Sequence, residues 1–274
     1  AGKIAREWLT DARIRKVTFT GSTEVGKELA VLAAGQVKRV SLELGGHAPF
    51  LVFDDADVDA AVEGAVASKF RNNGQTCICA NRFYVQRGIH DVFVRKFKER
   101  VEALRVGDGM EEATDLGPLV DRAALAKVEE HVRDALDKGG VLVTGGRRLD
   151  ERARGCYYAP TIIDRADETM RIAGEETFGP VAPVFVFDTE EEAIRRANDT
   201  AYGLAAYVYT NDLSRAARVS EALEYGMIGI NDPVMTTVQG PFGGMKESGV
   251  GREGGPDGLN DFLETKFVST VIRL

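Results

Sequence analysis

Cysteine is scarce in this sequence, with three in 274 residues. An odd, low count does not build the disulfide framework of a small secreted domain, and it suits a reducing compartment such as the cytoplasm. There is no block of about five or more basic residues, and the net charge is −8. Neither nucleic acid nor an anionic membrane surface is therefore expected as a partner. No apolar run reaches the roughly 18 residues of a membrane span. The opening AGKIAREW holds neither an initiator Met nor the apolar core of a signal peptide, so any targeting segment is expected upstream of it. No internal repeat or low-complexity tract stands out. What is present is ordinary for a globular protein: 44% hydrophobic and 28% charged residues. The length suits one large or two ordinary domains with a sizeable core.

Strand, turn and helix patterns alternate along the chain, which argues for an α/β protein. Val17 to Thr20 reads as a strand, Gly21 turns it, and Ser22 to Ala34 reads as a helix. Val25, Leu29, Leu32 and Ala33 recur at i, i+4, i+7 and i+8, so they predict its core-facing stripe. Val40 to Leu44 and Pro49 to Phe53 read as strands. Asp57 is the expected N-cap of a helix running to about Phe70, with Val58, Ala61, Val62, Ala65 and Val66 as its apolar face. Phe93, Phe97, Val101 and Leu104 mark another helix. Leu125, Val128, Val132 and Leu136 mark a further one, closed by Lys138-Gly139. Strands are expected near Val141–Thr144, Val181–Phe187, Ala205–Tyr209 and Met227–Ile230, and helices near Thr189–Asn198 and Leu213–Leu223. The β-branched and aromatic tail, Lys266 to Ile272, reads as a last strand.

Two glycine-rich segments invite a phosphate. Gly21-Ser-Thr-Glu-Val-Gly26-Lys27 sits between a strand and a helix, where free N–H groups and the positive end of the helix dipole favour an anion. It falls one residue short of a nucleotide-triphosphate loop, because Glu28 stands where a Mg²⁺-binding hydroxyl is needed. A tight turn without ligand is the plain alternative. Gly249-Val-Gly251-Arg-Glu-Gly254 fits G-x-G-x-x-G, but no strand precedes it and no βαβ unit surrounds it. It reads as a glycine-rich loop.

The segment Phe70-Arg-Asn-Asn-Gly-Gln-Thr-Cys77-Ile-Cys79-Ala-Asn81-Arg82 carries the most chemistry. A helix ends, a polar glycine turn follows, and Cys77 comes just after it, a better setting for a reactive thiol than an apolar face. Read locally, an inert buried cysteine pair is equally compatible. A zinc site is not expected, since the remaining ligands, Cys156, His47, His90 and His131, are scattered singly. Glu43 closes an apolar strand in Val40-Ser-Leu-Glu-Leu-Gly-Gly46. Such surroundings tend to raise a carboxyl's pKa and make it a general base near neutrality; pairing with a surface cation is the alternative. Glu175-Glu176-Thr-Phe178-Gly-Pro180 reads locally as a turn without function.

Taken together, FTGSTEVGK, VSLELGG, GQTC, EETFGPV, ANDTAYGLAAYVYT and PFGGMKESGVGRE resemble the aldehyde dehydrogenase family, in its order and at its approximate spacing, over nearly the whole chain. The resemblance implies an aldehyde dehydrogenase-like catalytic domain with a remnant of a Rossmann-like dinucleotide-binding domain. Residues 1–44 would be the C-terminal part of the dinucleotide-binding domain, 45–242 the catalytic domain, 243–264 a return segment to the former, and 265–274 an oligomerisation strand of a homodimer or homotetramer. It implies NAD or NADP as cofactor, no metal, and a small aldehyde as substrate. Cys77 matches the nucleophile that forms a thiohemiacetal and then a thioester. Glu43 matches the base that activates water for thioester hydrolysis. Gly21, Ser22 and Gly26 match the turn that receives the cofactor pyrophosphate. Leu44, Glu176 and Phe178 match residues around the nicotinamide and its ribose.

Within the family, KFRNNGQTCICANR, EALEYGMIGIND and GLNDFLETKF look like succinate-semialdehyde dehydrogenases. That likeness makes Arg71, six residues before the nucleophile, a clamp for the substrate's distal carboxylate, helped by Thr236 or Thr237. Asp232-Pro233 departs from the usual loop and leaves glutarate or 2-oxoglutarate semialdehyde, or a broader aldehyde range, as alternative substrates. The likeness also makes Cys79 a redox partner of Cys77. About half of the family's usual chain is expected upstream, with the oxyanion asparagine, most adenosine contacts and the residues that choose NAD or NADP. A truncated chain serving only for binding or oligomerisation is the alternative of a different class.

Overall fold

The computed structural model describes residues 2–149 and 155–273. In chain order the elements are α1 (Gly2–Thr10), β1 (Lys16–Thr20), α2 (Thr23–Ala34), β2 (Arg39–Glu43), β3 (Ala48–Val52), α3 (Val58–Phe70), β4 (Ala80–Gln86), α4 (His90–Glu102), α5 (Arg122–Asp137), β5 (Val141–Thr144) and β6 (Thr161–Asp164). They continue with α6 (Arg171–Gly174), β7 (Val181–Phe187), α7 (Glu190–Asn198), β8 (Tyr202–Gly203), β9 (Ala205–Tyr209), α8 (Leu213–Ala222), β10 (Met227–Ile230), β11 (Met245–Lys246), β12 (Gly249–Val250) and α9 (Asp257–Asn260).

The helices begin where side chains can satisfy their orphan N–H groups. Ser22 caps α2 through Val25 N, Asp57 caps α3 through Asp59 N and Ala60 N, and Asp121 caps α5 through Ala124 N. A seven-stranded sheet runs β10-β9-β3-β4-β7-β6-β5, parallel except for the β5–β6 pair. Side chains alternate across it as the period of a strand requires. Phe50, Val52, Phe83, Val85, Tyr207 and Tyr209 pack with α3 and α4 on one face. Leu51, Phe53, Tyr84, Phe185 and Val208 pack with α5, α7 and α8 on the other. With both faces covered, these strands read as continuous apolar runs. A smaller sheet joins β1 and β2 in parallel, with β12 antiparallel beside β2. Helices α1 and α2 cover it through Leu9, Leu29 and Ala33.

Several expectations need correcting. Val25 is exposed; the face α2 buries is Thr23, Gly26, Leu29 and Ala33, because Gly26 lets the helix approach Leu44. Strand β4 was not apparent, since its start, Asn81-Arg82, looks polar. Both side chains are buried, and Arg82 donates to the carbonyls of His47, Arg196 and Ala197 and to the Tyr225 hydroxyl. A guanidinium so surrounded can lie in a sheet without a carboxylate partner. The glycine-rich 249–254 segment is not wholly loop, since Gly249 and Val250 pair with Glu43 and Leu42. Lys266 to Ile272 form no strand with this chain and lie exposed, because a strand exists only where an edge accepts its hydrogen bonds.

Candidate active site

The two sheets meet end to end. Strands β1 and β2 finish at Thr20 and Glu43, while β3, β4 and β7 start at Ala48, Ala80 and Val181. Between these ends lies a cleft of about 770 Å³ lined by Gly21, Ser22, Glu43, Leu44, Arg71, Cys77, Glu176, Phe178 and Thr236. Residues as far apart in sequence as Gly21 and Thr236 thus share one space. Most of its walls come from the segments that follow or precede these strand ends, where the backbone is free to turn.

Cys77 is carried by the link between α3 and β4. That link needs a sharp reversal, and Asn72, Asn73 and Gly74 supply it in the left-handed region, at φ of 51°, 58° and 74°. Asn tolerates this conformation better than most residues, and Gly adopts it freely. At Gly74 a side chain would also strike the Gly179 carbonyl, since an added Cβ would sit 2.2 Å from it. The link is pinned by Tyr207, whose hydroxyl donates to Ile78 O at 2.7 Å. It presses on the β2–β3 connection, where a Cβ at Gly46 would fall 2.1 Å from Cys77 O. Burial pushes the Cys77 thiol up to about 11, and the charges of Glu176 and Glu43 push in the same sense; the N–H groups of Cys77 and Ile78 pull the other way. In this chain the thiol is therefore protonated near neutrality.

Glu43 is buried at the end of β2, and its Oε2 has no hydrogen-bond partner. Burial first, then the neighbouring Glu253, push its carboxyl up to about 8, against the pull of Arg252. No surface cation pairs with it among the described residues. Glu176 lies across the cleft. Burial pushes it up to about 7, while Gly46 N–H, which donates to its Oε1 at 3.1 Å, opposes the rise. Phe178 stands half exposed at φ 54°.

The other sequence-predicted residues divide. Arg71 is exposed at the end of α3, lines the cleft and has no ion-pair partner among the described residues. Thr236 lines the cleft and Thr237 does not. Gly26 does not line it either; it is the contact of α2 with Leu44, whose Cδ2 lies 2.4 Å from where a Cβ would be. Lys27, the lysine of the phosphate-loop-like segment, reaches Glu247 at 2.7 Å. Cys79 is fully buried, with Sγ 3.3 Å from Lys69 O, and both it and Cys77 are free thiols. Among the described residues no group of three or more His, Cys, Asp or Glu is arranged to hold a metal. No described helix is long and apolar enough to cross a membrane.

With this geometry in view, comparison with known proteins is direct. The sequence pattern described as the aldehyde dehydrogenase family matches residues 2–268. The chain belongs to the aldehyde dehydrogenase family. Among its relatives is a probable succinate-semialdehyde dehydrogenase [NADP(+)] of Sinorhizobium fredii, 53% identical over 265 residues, which are 97% of this chain and 54% of the relative. Another is a glutarate-semialdehyde dehydrogenase of Pseudomonas putida, 52% identical over 98% of this chain and 55% of the relative. A crystal structure of an aldehyde dehydrogenase from Brucella melitensis biovar abortus 2308 superposes with a TM-score of 0.95 at 53% identity, over 98% of this chain and 55% of that one. The chain thus spans about half the length of the aldehyde dehydrogenases it matches, and it keeps their fold.

Two cleft features of this family member were not legible in its sequence. Lys127 reaches the cleft from α5, and nothing local distinguishes it from an ordinary solvated helix lysine. The pair Gly45-Gly46 threads between the Cys77 carbonyl and Glu176, and its N–H groups donate to Thr23 Oγ1 and Glu176 Oε1. Paired glycines after a strand are the visible signal, but the partners they approach lie far along the chain.

Proposed function

We propose that the protein to which this chain belongs oxidises a carboxylate-bearing aldehyde, succinate semialdehyde, to the acid with NAD or NADP, in the cytoplasm and as a homodimer or homotetramer. One observation carries the reading: a thiol, a buried and a partly buried carboxyl, and an arginine with no ion-pair partner among the described residues line one cleft.

A nicotinamide dinucleotide suits the residues present. Ser22 opens a twelve-residue helix, whose first N–H groups favour a phosphate. Glu176 offers a carboxylate for ribose hydroxyls and Phe178 an apolar ring beside them. Cys77 attacks the aldehyde carbon and holds it as a thiohemiacetal, with backbone N–H groups at Cys77 and Ile78 near the developing charge. When bound, the oxidised nicotinamide supplies a hydride acceptor, which leaves a thioester on Cys77. Glu43, in its carboxylate form, removes a proton from the water that hydrolyses this thioester. Arg71 meets the distal carboxylate with two parallel hydrogen bonds, assisted by the Thr236 hydroxyl. The exposed tail 266–272 supplies the pairing edge between copies.

The test compares succinate semialdehyde with butanal in the full-length protein and its Arg71→Ala form. Loss of a desolvated carboxylate pair lowers kcat/KM for the acidic aldehyde alone, by about 1.5–3 kcal/mol, roughly tenfold or more. Equal losses for both aldehydes would mean that Arg71 only neutralises the end of α3, and the substrate assignment would fall.

A further inference from the structure

Residues 175–178 alternate in the direction they face. Glu176 and Phe178 line the cleft. Glu175 and Thr177, between and before them, turn the other way and meet a single side chain, His131 of α5. Its ring is wholly buried, with Nδ1 3.1 Å from Thr177 Oγ1 and Nε2 3.2 Å from Glu175 Oε2. Burial disfavours the charged imidazole, and Glu175 is kept ionised by Arg171, which holds it with two contacts of 3.0 Å. A carboxylate only accepts, so Nε2 carries the proton and Nδ1 accepts from the Thr177 hydroxyl. Both ring nitrogens are thereby committed, one to each residue flanking Glu176.

The segment needs such a hold. Phe178 sits in the left-handed region at φ 54°, a conformation that bulky residues keep only when their surroundings impose it. Thr177, the residue before it, is almost fully buried. Apart from the Gly46 N–H, no described group donates a hydrogen bond to Glu176.

We infer that His131 is a positioning residue for the cofactor: by tying down Glu175 and Thr177 it aims Glu176 and Phe178 at the nicotinamide ribose and ring. This rests on the dehydrogenase reading above. A helix residue outside the cleft would then set dinucleotide affinity while leaving the aldehyde side alone.

Calorimetric dissociation constants for NAD and NADP, measured on the full-length protein, test it. His131→Leu removes both hydrogen bonds at similar size, and Thr177→Val removes one should the first variant fold poorly. Val132→Ala, in the same helix and core but away from the segment, controls for lost stability. His131→Leu is expected to weaken dinucleotide binding about tenfold, the equivalent of about 1.4 kcal/mol. Thr177→Val is expected to do so to a smaller extent, with the aldehyde KM within about twofold of wild type. Val132→Ala should lower Tm without changing the dinucleotide constant. Unchanged binding in both segment variants would overturn the inference, and so would equal weakening by Val132→Ala. A wild-type protein that binds neither dinucleotide would instead overturn the dehydrogenase reading, and this inference with it.

Discussion

Glu43 makes stability depend on pH in a way that can be measured. An ordinary glutamate titrates at 4.5, and in the fold this carboxyl is pushed up to about 8. Between those values the folded chain holds a proton that the unfolded chain has released. Unfolding free energy therefore falls as pH rises through that window and levels off above it. At about 1.36 kcal/mol per pH unit, the ionised form costs at most about 5 kcal/mol. Relaxation around a charge beside an open cleft reduces this, so about 2–3 kcal/mol is expected. Glu43→Gln keeps the shape and cannot ionise. Urea denaturation of both forms at pH 5, 7 and 9 isolates the effect, because all other titrating groups are common to both and cancel. The variant should gain on the wild type as pH rises, by the stated amount between pH 5 and 9. A difference that does not change with pH would refute the account, as would a gain in the opposite direction.

Three further outcomes follow from the geometry. In the full-length protein Cys77→Ala should abolish reduced-cofactor formation while Cys79→Ala retains substantial turnover; in this chain alone, alkylation of Cys77 followed by mass spectrometry should still be accelerating at pH 10, and a plateau below pH 9 would contradict a thiol pushed up to about 11. Arg82→Met should cost about 3–5 kcal/mol by chemical denaturation, since it strands buried carbonyls that now accept from the guanidinium; a cost under about 1 kcal/mol would show that those carbonyls find other partners. Gly26→Ala should destabilise by about 1–3 kcal/mol through overpacking against Leu44, and Leu44→Ala in the same chain should relieve part of that loss, whereas strictly additive losses would rule out this contact as the cause.

The sequence by itself determined the α/β class, most strands and helices, and the identity of Cys77 and Glu43 as site candidates, with Glu176 and Phe178 added only by the resemblance of their motif to the family's. Each carries a local signal: a period in apolar residues, a capping Ser or Asp, or a motif whose residues lie together in the chain. Strand β4 escaped because its buried Asn81 and Arg82 are satisfied by carbonyls contributed from elsewhere, so their polarity misrepresents their surroundings. The tail 266–272 has strand composition but pairs with no described strand of this chain. Only the tertiary structure decided that Thr236 rather than Thr237 reaches the cleft, that Gly26 serves helix packing, that Lys127 lines the cleft and that His131 stands behind it. It alone also set the direction in which Cys77 titrates and how far the expected rise at Glu43 goes. Those properties depend on burial and on charges brought together across the fold, and solvation at a point in space is not a function of the neighbours along the chain.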